Sequence, residues 1–370
     1  MNFSCKKEEM VKGLQNVQAV LSSKVTLPVL SNILIETADK RLKLSATDLE
    51  VSVSSSLEAD VSKPGAITVP GKMFFAIVRD LPANDMSFEA DAANHIRIRS
   101  KNAVFKLTGL PKDDYPVIPQ FKEDRAFSLK KDIIKDMIRK TRFSVSMDES
   151  RYVLCGIYMT IEKGKVKMVA TDGKRLAYIA KPAVSDKKQN VKIIIPSKAI
   201  NELSKILEEE EDEKDGNIFV AVDENQVIFK VASSVLVSRL IDGHYPNYEQ
   251  VIPKSSTIQA VMDTEALLRA TKRVSLFTSE KLNTVKFIFK KNKLIMTATI
   301  QGVGEAQDEM EIEYSGEEIE IGYNPAYVVD VLTNLGSKKT RFALTNALNP
   351  GVIRSDDSEE YLAVIMPMRI

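Results

Sequence analysis

The groups best suited to chemistry in this sequence lie in one short stretch, Thr171 to Arg175, where a hydroxyl, a carboxylate, a glycine and two cations follow one another. Gly173, Lys174 and Arg175 could bind a phosphate, with Asp172 and the similar Asp48 as metal ligands or as acid and base. The stretch has a single glycine, however, and it precedes a predicted strand instead of a helix, so an anion-binding helix terminus is missing. An enzyme acting on a phosphorylated substrate at Thr171–Arg175 stays open as an alternative.

A structural interpretation of the same residues is favoured. The Thr and Asp side chains of such a stretch often satisfy backbone groups within a turn. The related stretch Ala298-Thr299, later in the chain, has Ile300 where the carboxylate would stand. The only histidines, His95 and His244, belong to no motif, and neither nucleotide-binding glycine pattern occurs. Cys5 and Cys155 are isolated and lack a neighbouring histidine that would suggest zinc. The sequence therefore predicts no catalytic residue, no metal and no cofactor.

The elements that carry this stretch are repeated along the chain. Ala170-Thr171-Asp172 recurs as Ala46-Thr47-Asp48 and Ala298-Thr299, 124 residues before it and 128 residues after it. Phe3-Ser4 recurs as Phe127-Ser128 at the same offset of 124. Two matches at one offset indicate duplication. Paired prolines near the ends of the first two copies exclude helix and are typical of connectors, so we predict domains at 1–121, 122–254 and 255–370.

Each copy is predicted to contain two helices and several strands, an α+β arrangement. The first helix shows an apolar stripe, for example Met10, Leu14, Val17 and Leu21. The second begins at a proline, Pro70, Pro196 or Pro325, where a missing N–H has little effect. Alternating strand pairs joined by short polar turns follow the first helix in every copy.

The overall composition gives weaker indications. Lys plus Arg (52) nearly balances Asp plus Glu (51), so no global field indicates a nucleic-acid partner. Lys131, Lys135, Arg139 and Arg142 recur on one predicted helical face, which fits either contacts with a phosphate backbone or solvation of a helix. The acidic stretch Glu208–Glu213 is predicted to be a solvated loop. No apolar run of membrane-spanning length and no signal-peptide core is present, so we predict a cytoplasmic protein.

The sequence resembles the bacterial beta sliding clamp, the processivity subunit of the replicative DNA polymerase. The resemblance covers the whole chain and rests on four motifs: Thr26-Leu27-Pro28-Val29-Leu30, Ala170 to Ala177, Gly243 to Tyr248 with Val251-Ile252-Pro253, and the terminal Met366-Pro367-Met368-Arg369. It implies three clamp domains per chain, each with two helices backed by antiparallel sheets, closing as a ring in a head-to-tail homodimer. A ring held on duplex DNA by its topology tolerates weak, sequence-independent contacts.

The resemblance also implies partners and sites. The partners are duplex DNA, the replicative polymerase subunit, the clamp loader, and other polymerases and repair proteins that bind through short peptides; the protein itself is not an enzyme and needs no cofactor. DNA contacts are expected from Lys24, Arg139, Lys140 and Arg142, and the dimer interface from Phe105 and Leu107 facing Leu276 and Phe277. The residues expected to form the groove for partner peptides are Leu154, Thr171, Gly173, Lys174, Arg175, Leu176, Pro246, Val251, Val364, Met366, Pro367, Met368 and Arg369.

Two features leave room for difference within the family. Many members have Arg where Lys24 stands, and the groove often has another residue in place of Lys174, so the preference for peptides is expected to differ at that edge. Besides the enzyme, a monomeric scaffold that binds peptides without binding DNA is a second alternative.

Overall fold

The computed structural model describes residues 1–21, 27–123, 126–182, 190–209, 216–256, 258–279 and 283–370. Lys24 and residues 210–213 of the acidic stretch lie outside this part of the chain. Within it, the three predicted copies are visible as three similar successions of strands, each interrupted by two helices.

The first copy has one strand more than the others. Its elements are β1 (Asn2–Lys6), α1 (Lys7–Gln18), β2 (Asn32–Ala38), β3 (Arg41–Thr47), β4 (Val51–Glu58), β5 (Asp60–Lys63), β6 (Gly65–Pro70), α2 (Gly71–Asp80), β7 (Asp85–Ala90), β8 (His95–Ser100) and β9 (Ala103–Thr108).

The second copy follows the same order without a counterpart of β5. Its elements are β10 (Phe127–Lys130), α3 (Lys131–Thr141), β11 (Gly156–Glu162), β12 (Lys165–Thr171), β13 (Arg175–Pro182), β14 (Val191–Pro196), α4 (Ser197–Glu209), β15 (Asn217–Asp223), β16 (Gln226–Val231) and β17 (Ser234–Arg239).

The third copy repeats that order. Its elements are β18 (Ile258–Asp263), α5 (Thr264–Ser275), β19 (Val285–Lys290), β20 (Lys293–Ile300), β21 (Gly304–Glu311), β22 (Ile319–Tyr323), α6 (Pro325–Leu335), β23 (Lys339–Leu344), β24 (Gly351–Ser355) and β25 (Tyr361–Ile365).

The second helix of each copy begins at its proline, as predicted. Pro70 and Pro196 directly precede α2 and α4, and Pro325 is the first residue of α6. At α6 the Asn324 side chain accepts a hydrogen bond from the Ala326 amide at 3.0 Å, and Gly336 ends the helix in the left-handed conformation, with φ of +74°. Proline at the start and glycine just past the end fix both boundaries of α6.

The chain divides into two compact units. Among the described residues, the first unit contains 1–132 and 198–240, and the second contains 133–182, 190–197 and 241–370. Each unit combines parts of more than one copy, because one eight-stranded sheet in each unit contains strands of two successive copies. The predicted boundaries near 121 and 254 are therefore not visible as gaps between sheets, and they stay a prediction.

The first unit contains two antiparallel sheets. One has the strand order β5-β1-β7-β8-β9, and the other has the order β10-β15-β16-β17-β4-β3-β2-β6. Helix α1 packs on β3 and β4, where a side chain at Gly13 would come within 2.6 Å of Leu57 and 3.2 Å of Leu44. The fully buried Met10, Leu14 and Val17 confirm the apolar stripe predicted for this helix, except that α1 ends at Gln18 and Leu21 lies beyond it.

The second unit has the same construction. Its eight-stranded sheet has the order β14-β11-β12-β13-β25-β24-β23-β18, and a four-stranded sheet has the order β21-β20-β19-β22. Helices α5 and α6 pack against each other. Phe287, Phe289, Tyr323 and Phe342 are fully buried, and their ring centroids are 5.6 to 6.4 Å apart. This aromatic core supports the helix and the strands that carry the candidate site.

Candidate functional site

Thr171 to Arg175 form a tight turn between β12 and β13, and their polar side chains bond within it. Thr171 Oγ1 donates to the Arg175 carbonyl (2.6 Å) and accepts from the Gly173 amide (3.0 Å). Asp172 Oδ1 accepts from the amides of Lys174 (2.8 Å) and Arg175 (3.0 Å). Gly173 has φ of +85°, a conformation that glycine adopts at little steric cost. The predicted structural role of the Thr and Asp side chains is confirmed.

The matching turn of the first copy is built by the same bonds. Thr47 Oγ1 donates to the Val51 carbonyl (3.2 Å) and accepts from the Leu49 amide (3.1 Å). Asp48 Oδ1 accepts from the amides of Glu50 (3.0 Å) and Val51 (2.8 Å). The Thr-Asp pair thus shapes a turn in both copies, and its carboxylates are engaged by backbone donors instead of standing free for acid–base chemistry.

The C-terminal tail lies against this turn. Strand β25 pairs with β13, placing Val364 opposite Leu176 and Ile365 opposite Arg175. Beyond the strand, the Met366 amide donates to the Lys174 carbonyl at 2.9 Å, and the Met368 amide donates to the Gly322 carbonyl at 2.8 Å. A side chain at Gly322 would lie 2.8 Å from the Met368 carbonyl oxygen. The tail is therefore held at both of its methionines, by the turn and by β22.

An apolar cluster underlies the turn and the tail. Leu176 and Val364 are buried in it together with Val169, Tyr248, Ala343, Val352 and Leu362. Tyr245 stacks on Tyr158, with ring centroids 4.9 Å apart and planes within 6°. Burial raises the pKa of Tyr245 and of Tyr248 above the ordinary value of a phenol, because the charged form is poorly solvated there. The tyrosines fix the connector that carries Pro246 and Val251.

The thirteen predicted groove residues divide into floor and rim. Leu154, Leu176 and Val364 are buried, so they would form the floor of the predicted groove. Val251 (45% exposed) and Met366 (41% exposed) present apolar surface. Gly173, Lys174, Pro246 and Arg369 are exposed, while Thr171, Pro367 and Met368 are half-buried. All thirteen belong to the second unit.

Arg175 is the exception, because it is a charged residue that is largely buried. Its side chain is 12% exposed; Nε donates to Asp172 Oδ2 at 3.0 Å and Nη1 donates to Asp330 Oδ2 at 2.5 Å. The guanidinium carbon lies 4.4 Å from the ring centroid of Tyr327. Sequence reasoning missed Asp330 and gave Tyr327 no part in the site. A single carboxylate within the apolar run Tyr327 to Leu332 was the available signal.

The predicted DNA contacts that the structure describes lie on α3 and just after it. Asp136 Oδ1 accepts from Arg139 Nη2 at 2.6 Å, and Asp136 Oδ2 accepts from Lys140 Nζ at 3.1 Å. Burial raises the pKa of Asp136, but the bonds from Arg139 and Lys140 outweigh burial and hold it below its usual range. Lys140 is only 15% exposed, whereas Arg142 is exposed. Lys131 is buried, so the exposed part of this basic face is shorter than the face predicted from the spacing of the residues.

The four predicted interface residues lie on or near the edge strands of two sheets. Phe105 and Leu107 belong to β9, the edge strand of the five-stranded sheet. Leu276, which is 77% exposed, and Phe277 follow α5, and Phe277 packs beside Gly304 at the start of the edge strand β21. Exposed large apolar side chains beside unpaired strand edges are typical of association surfaces.

Nowhere in the described residues do three or more His, Cys, Asp or Glu side chains come together as metal ligands could. None of their helices has the length and apolar character needed to cross a membrane.

Comparison with known proteins identifies the family. Models of the N-terminal, central and C-terminal domains of the DNA polymerase III beta subunit match residues 1–119, 128–247 and 249–369. The chain belongs to the DNA polymerase III beta subunit family. It is 34% identical to the beta sliding clamp of Chlamydia pneumoniae over 370 residues, covering 100% of this chain and 99% of the relative.

Other members of the beta subunit family agree with this result. The beta sliding clamp of Haemophilus influenzae is 34% identical over 376 residues, with both chains covered completely. The crystal structure of the Bacillus subtilis DNA polymerase sliding clamp superposes with a TM-score of 0.95 at 30% identity, covering 100% of this chain and 99% of that one. The predicted α+β fold of three clamp domains is confirmed, and so is its assignment to a non-catalytic processivity factor.

Proposed function

We propose that two copies of this chain form a head-to-tail ring around duplex DNA and tether the replicative polymerase to its template. The clamp loader and other polymerases and repair proteins would bind the same ring through short peptides. A protein with this function acts in the cytoplasm. Each of the three regions 1–121, 122–254 and 255–370 would form one clamp domain of the ring. The observation that carries the proposal is the order of strands in the sheets.

Each eight-stranded sheet joins half of one copy to half of the next. In the first unit, β6-β2-β3-β4 of the first copy meets β17-β16-β15-β10 of the second through the β4–β17 pair. In the second unit, β14-β11-β12-β13 of the second copy meets β25-β24-β23-β18 of the third through the β13–β25 pair. In both sheets, the fourth strand of one copy pairs with the last strand of the following copy.

Two half-sheets remain without that partner. The third copy contributes β22-β19-β20-β21, which ends at β21, and the first copy contributes β1-β7-β8-β9, which ends at β9. By position in the repeat, β21 corresponds to β4 and β13, and β9 corresponds to β17 and β25. Pairing β21 of one protomer with β9 of a second joins the four-stranded and the five-stranded sheet into one sheet, in which eight strands repeat the order of the other two long sheets and β5 is a ninth at the edge; both open edges are removed. Two such contacts close a head-to-tail ring.

The charges of these edges support that pairing. Strand β21 carries Glu305, Asp308, Glu309 and Glu311. The sheet that ends at β9 carries Lys106 on this edge strand and Arg97 and Arg99 on the neighbouring strand β8. An acidic strand facing a basic one favours association and disfavours pairing of two like edges. Phe105 and Leu107 would then meet Leu276 and Phe277 as the apolar centre of the contact.

Tethering and DNA contact are assigned to separate places. The exposed apolar rim of the turn and tail supports binding of short peptides with large apolar side chains, and methionine side chains adapt to different sequences. Lys24, Arg139, Lys140 and Arg142 are proposed as contacts with phosphates, of which Arg142 is the best exposed in the described chain. Contacts of this kind carry no base information, so the ring can slide.

The test combines the mass of the protein in solution with its retention on circular and on linear DNA. Light scattering should give twice the chain mass of 41.2 kDa. After loading onto a nicked circular plasmid, the ring should stay bound through gel filtration and should be lost when the plasmid is cut once. Blocking both ends of the cut plasmid with bound protein should restore retention. A monomer mass, or equal retention on circular and open linear DNA, contradicts the proposal.

A further inference from the structure

We infer that Asp330 on α6 is a positioning residue of the peptide groove, acting through Arg175. The inference rests on the proposed function, because it concerns the same groove. Asp330 lies outside the thirteen groove residues, and its side chain is directed at Arg175 on a different element.

Arg175 connects two walls that are remote in sequence. Its backbone belongs to the turn that presents Gly173 and Lys174, and its Nη1 reaches Asp330 of α6 at 2.5 Å. Tyr327, one turn before Asp330 on the same helix, lies under the guanidinium, with 4.4 Å between the guanidinium carbon and the ring centroid. The ring of Phe143 lies 5.5 Å from the same carbon. Arg175 therefore sets the spacing between turn and helix.

Asp330 is the part of this arrangement that belongs to the helix. Within the turn, Asp172 holds Nε of the same guanidinium at 3.0 Å, but it cannot fix the distance to α6 because it lies on the same loop as Arg175. A largely buried guanidinium is stable only when its donors are met by acceptors. Without the Asp330 carboxylate, Nη1 would turn toward water and release the helix wall.

The far end of α6 is held by a second arginine. Arg139 Nη1 donates to the Asn334 carbonyl at 2.9 Å, where the helix leaves carbonyl groups unpaired. Helix α6 is thus fixed at its C-terminal end from α3 and near its middle from β13. Loss of the Asp330 contact would leave α6 folded but would move its Tyr327 side relative to the turn, which changes the groove and preserves the fold.

Arg175 then contributes shape instead of charge. Two carboxylates and two rings surround its guanidinium, so it offers little field to a bound peptide. Because Asp330→Asn also removes one negative charge, the effect on groove shape is measured with a neutral peptide and at high salt, where the effect of that charge is screened.

The experiment uses fluorescence anisotropy to measure the affinity of a neutral, fluorescein-labelled ten-residue peptide that carries leucine and phenylalanine side chains at its centre. We expect Asp330→Asn to weaken binding roughly tenfold, equivalent to the loss of about 1.4 kcal/mol of binding free energy. Asp330→Glu, which keeps the carboxylate, should recover most of the affinity. In an Arg175→Met background, Asp330→Asn should cause no further loss, because the residue through which it acts is gone.

Asp85→Asn is the matched control, because it removes the same charge from an Asp–Lys pair with Lys6 in the first unit. Its peptide affinity should equal that of the unmodified protein. Equal affinities for Asp330→Asn and the unmodified protein overturn this inference alone, as does a full additional loss in the Arg175→Met background. Failure of the unmodified protein to bind the peptide at all overturns the groove itself.

Discussion

At the residue scale, the two Thr-Asp turns have the same hydrogen bonds but present different side chains. Both use the same four hydrogen bonds, yet Glu50 stands in the first copy where Lys174 stands in the second. The Glu50 carbonyl accepts the amide of Arg239 at the end of β17, and the Lys174 carbonyl accepts the amide of Met366 just after β25. The turn is a property of the repeat, whereas the exposed side chain that it presents is specific to the groove.

Lys174 should therefore select peptides by charge. Its side chain is exposed, and within the described residues it takes part in no ion pair. Replacing it by Glu should weaken binding of a peptide with an Asp beside its apolar segment about tenfold, and should change binding of the Asn counterpart less than about twofold, since an exposed charge acts modestly and locally. Anisotropy titrations with the two peptides at low salt measure the difference.

Lys181→Glu supplies the control, because Lys181 lies on the same strand as the turn and pairs with Glu360 instead of bordering the groove. It should leave both peptides unaffected. If Lys174→Glu weakens both peptides equally, Lys174 acts on the shape of the turn and not on charge selection.

The turn could be predicted from sequence, whereas the surroundings of Arg175 could not. Thr and Asp bond to backbone groups two and three residues away, so their spacing alone indicates the result. Asp330 lies 155 residues from Arg175, and no local pattern relates them. The thirteen groove residues came from family resemblance, which names positions but does not say that Leu176 forms the floor and Met366 the rim.

At the element scale, the starts of the second helices were predictable, whereas the exposure of a basic helix face was not. Proline at the beginning of the second helix of each copy has a local cause, so all three starts agree with the sequence. The basic face of α3 was predicted from spacing, but Lys131 is buried where the helix leaves β10. Spacing gives the direction of a side chain, while the neighbouring strands determine whether that direction leads to solvent.

The C-terminal tail is the element that the groove depends on most. Deleting residues 366–370 removes the Met366 bond to the Lys174 carbonyl, the Met368 bond to Gly322 and the apolar rim of Met366. Peptide binding should fall by at least about a hundredfold, because the loss of several buried contacts at one site is large compared with the total affinity. The dimer mass should be unchanged, since β9 and β21 are untouched. Anisotropy and light scattering on one preparation measure both.

A shorter deletion separates the groove from the chain end. Removing only Ile370 keeps both tail bonds and all thirteen groove residues, so most of the peptide affinity should remain. Peptide affinity that survives the longer deletion would place the binding site elsewhere, and a monomer after that deletion would show that the tail serves assembly.

At the scale of the whole molecule, the number of copies was readable from the sequence, but the way the sheets combine was not. Repeats at offsets of 124 and 128 residues predict three similar units. Pairing between β4 and β17, or between β13 and β25, joins residues 179 to 190 positions apart, and neither strand carries a signal for its partner. The mismatch between copies and sheets is the feature from which the open edges β9 and β21 follow.

Those open edges give the last prediction, which concerns assembly. Changing Leu276 and Phe277 together to Asp should convert the dimer to a monomer, because a seam that closes over two carboxylates without partners would bury unpaired charge. Leu348→Asp is the control, since Leu348 is 85% exposed on the loop between β23 and β24 and belongs to no strand edge. Light scattering from micromolar to nanomolar concentration should show the monomer only for the double variant. That variant should keep its peptide affinity, because the groove lies within one chain, and it should lose retention on circular DNA. A dimer that persists in the double variant would place the seam away from β9 and β21.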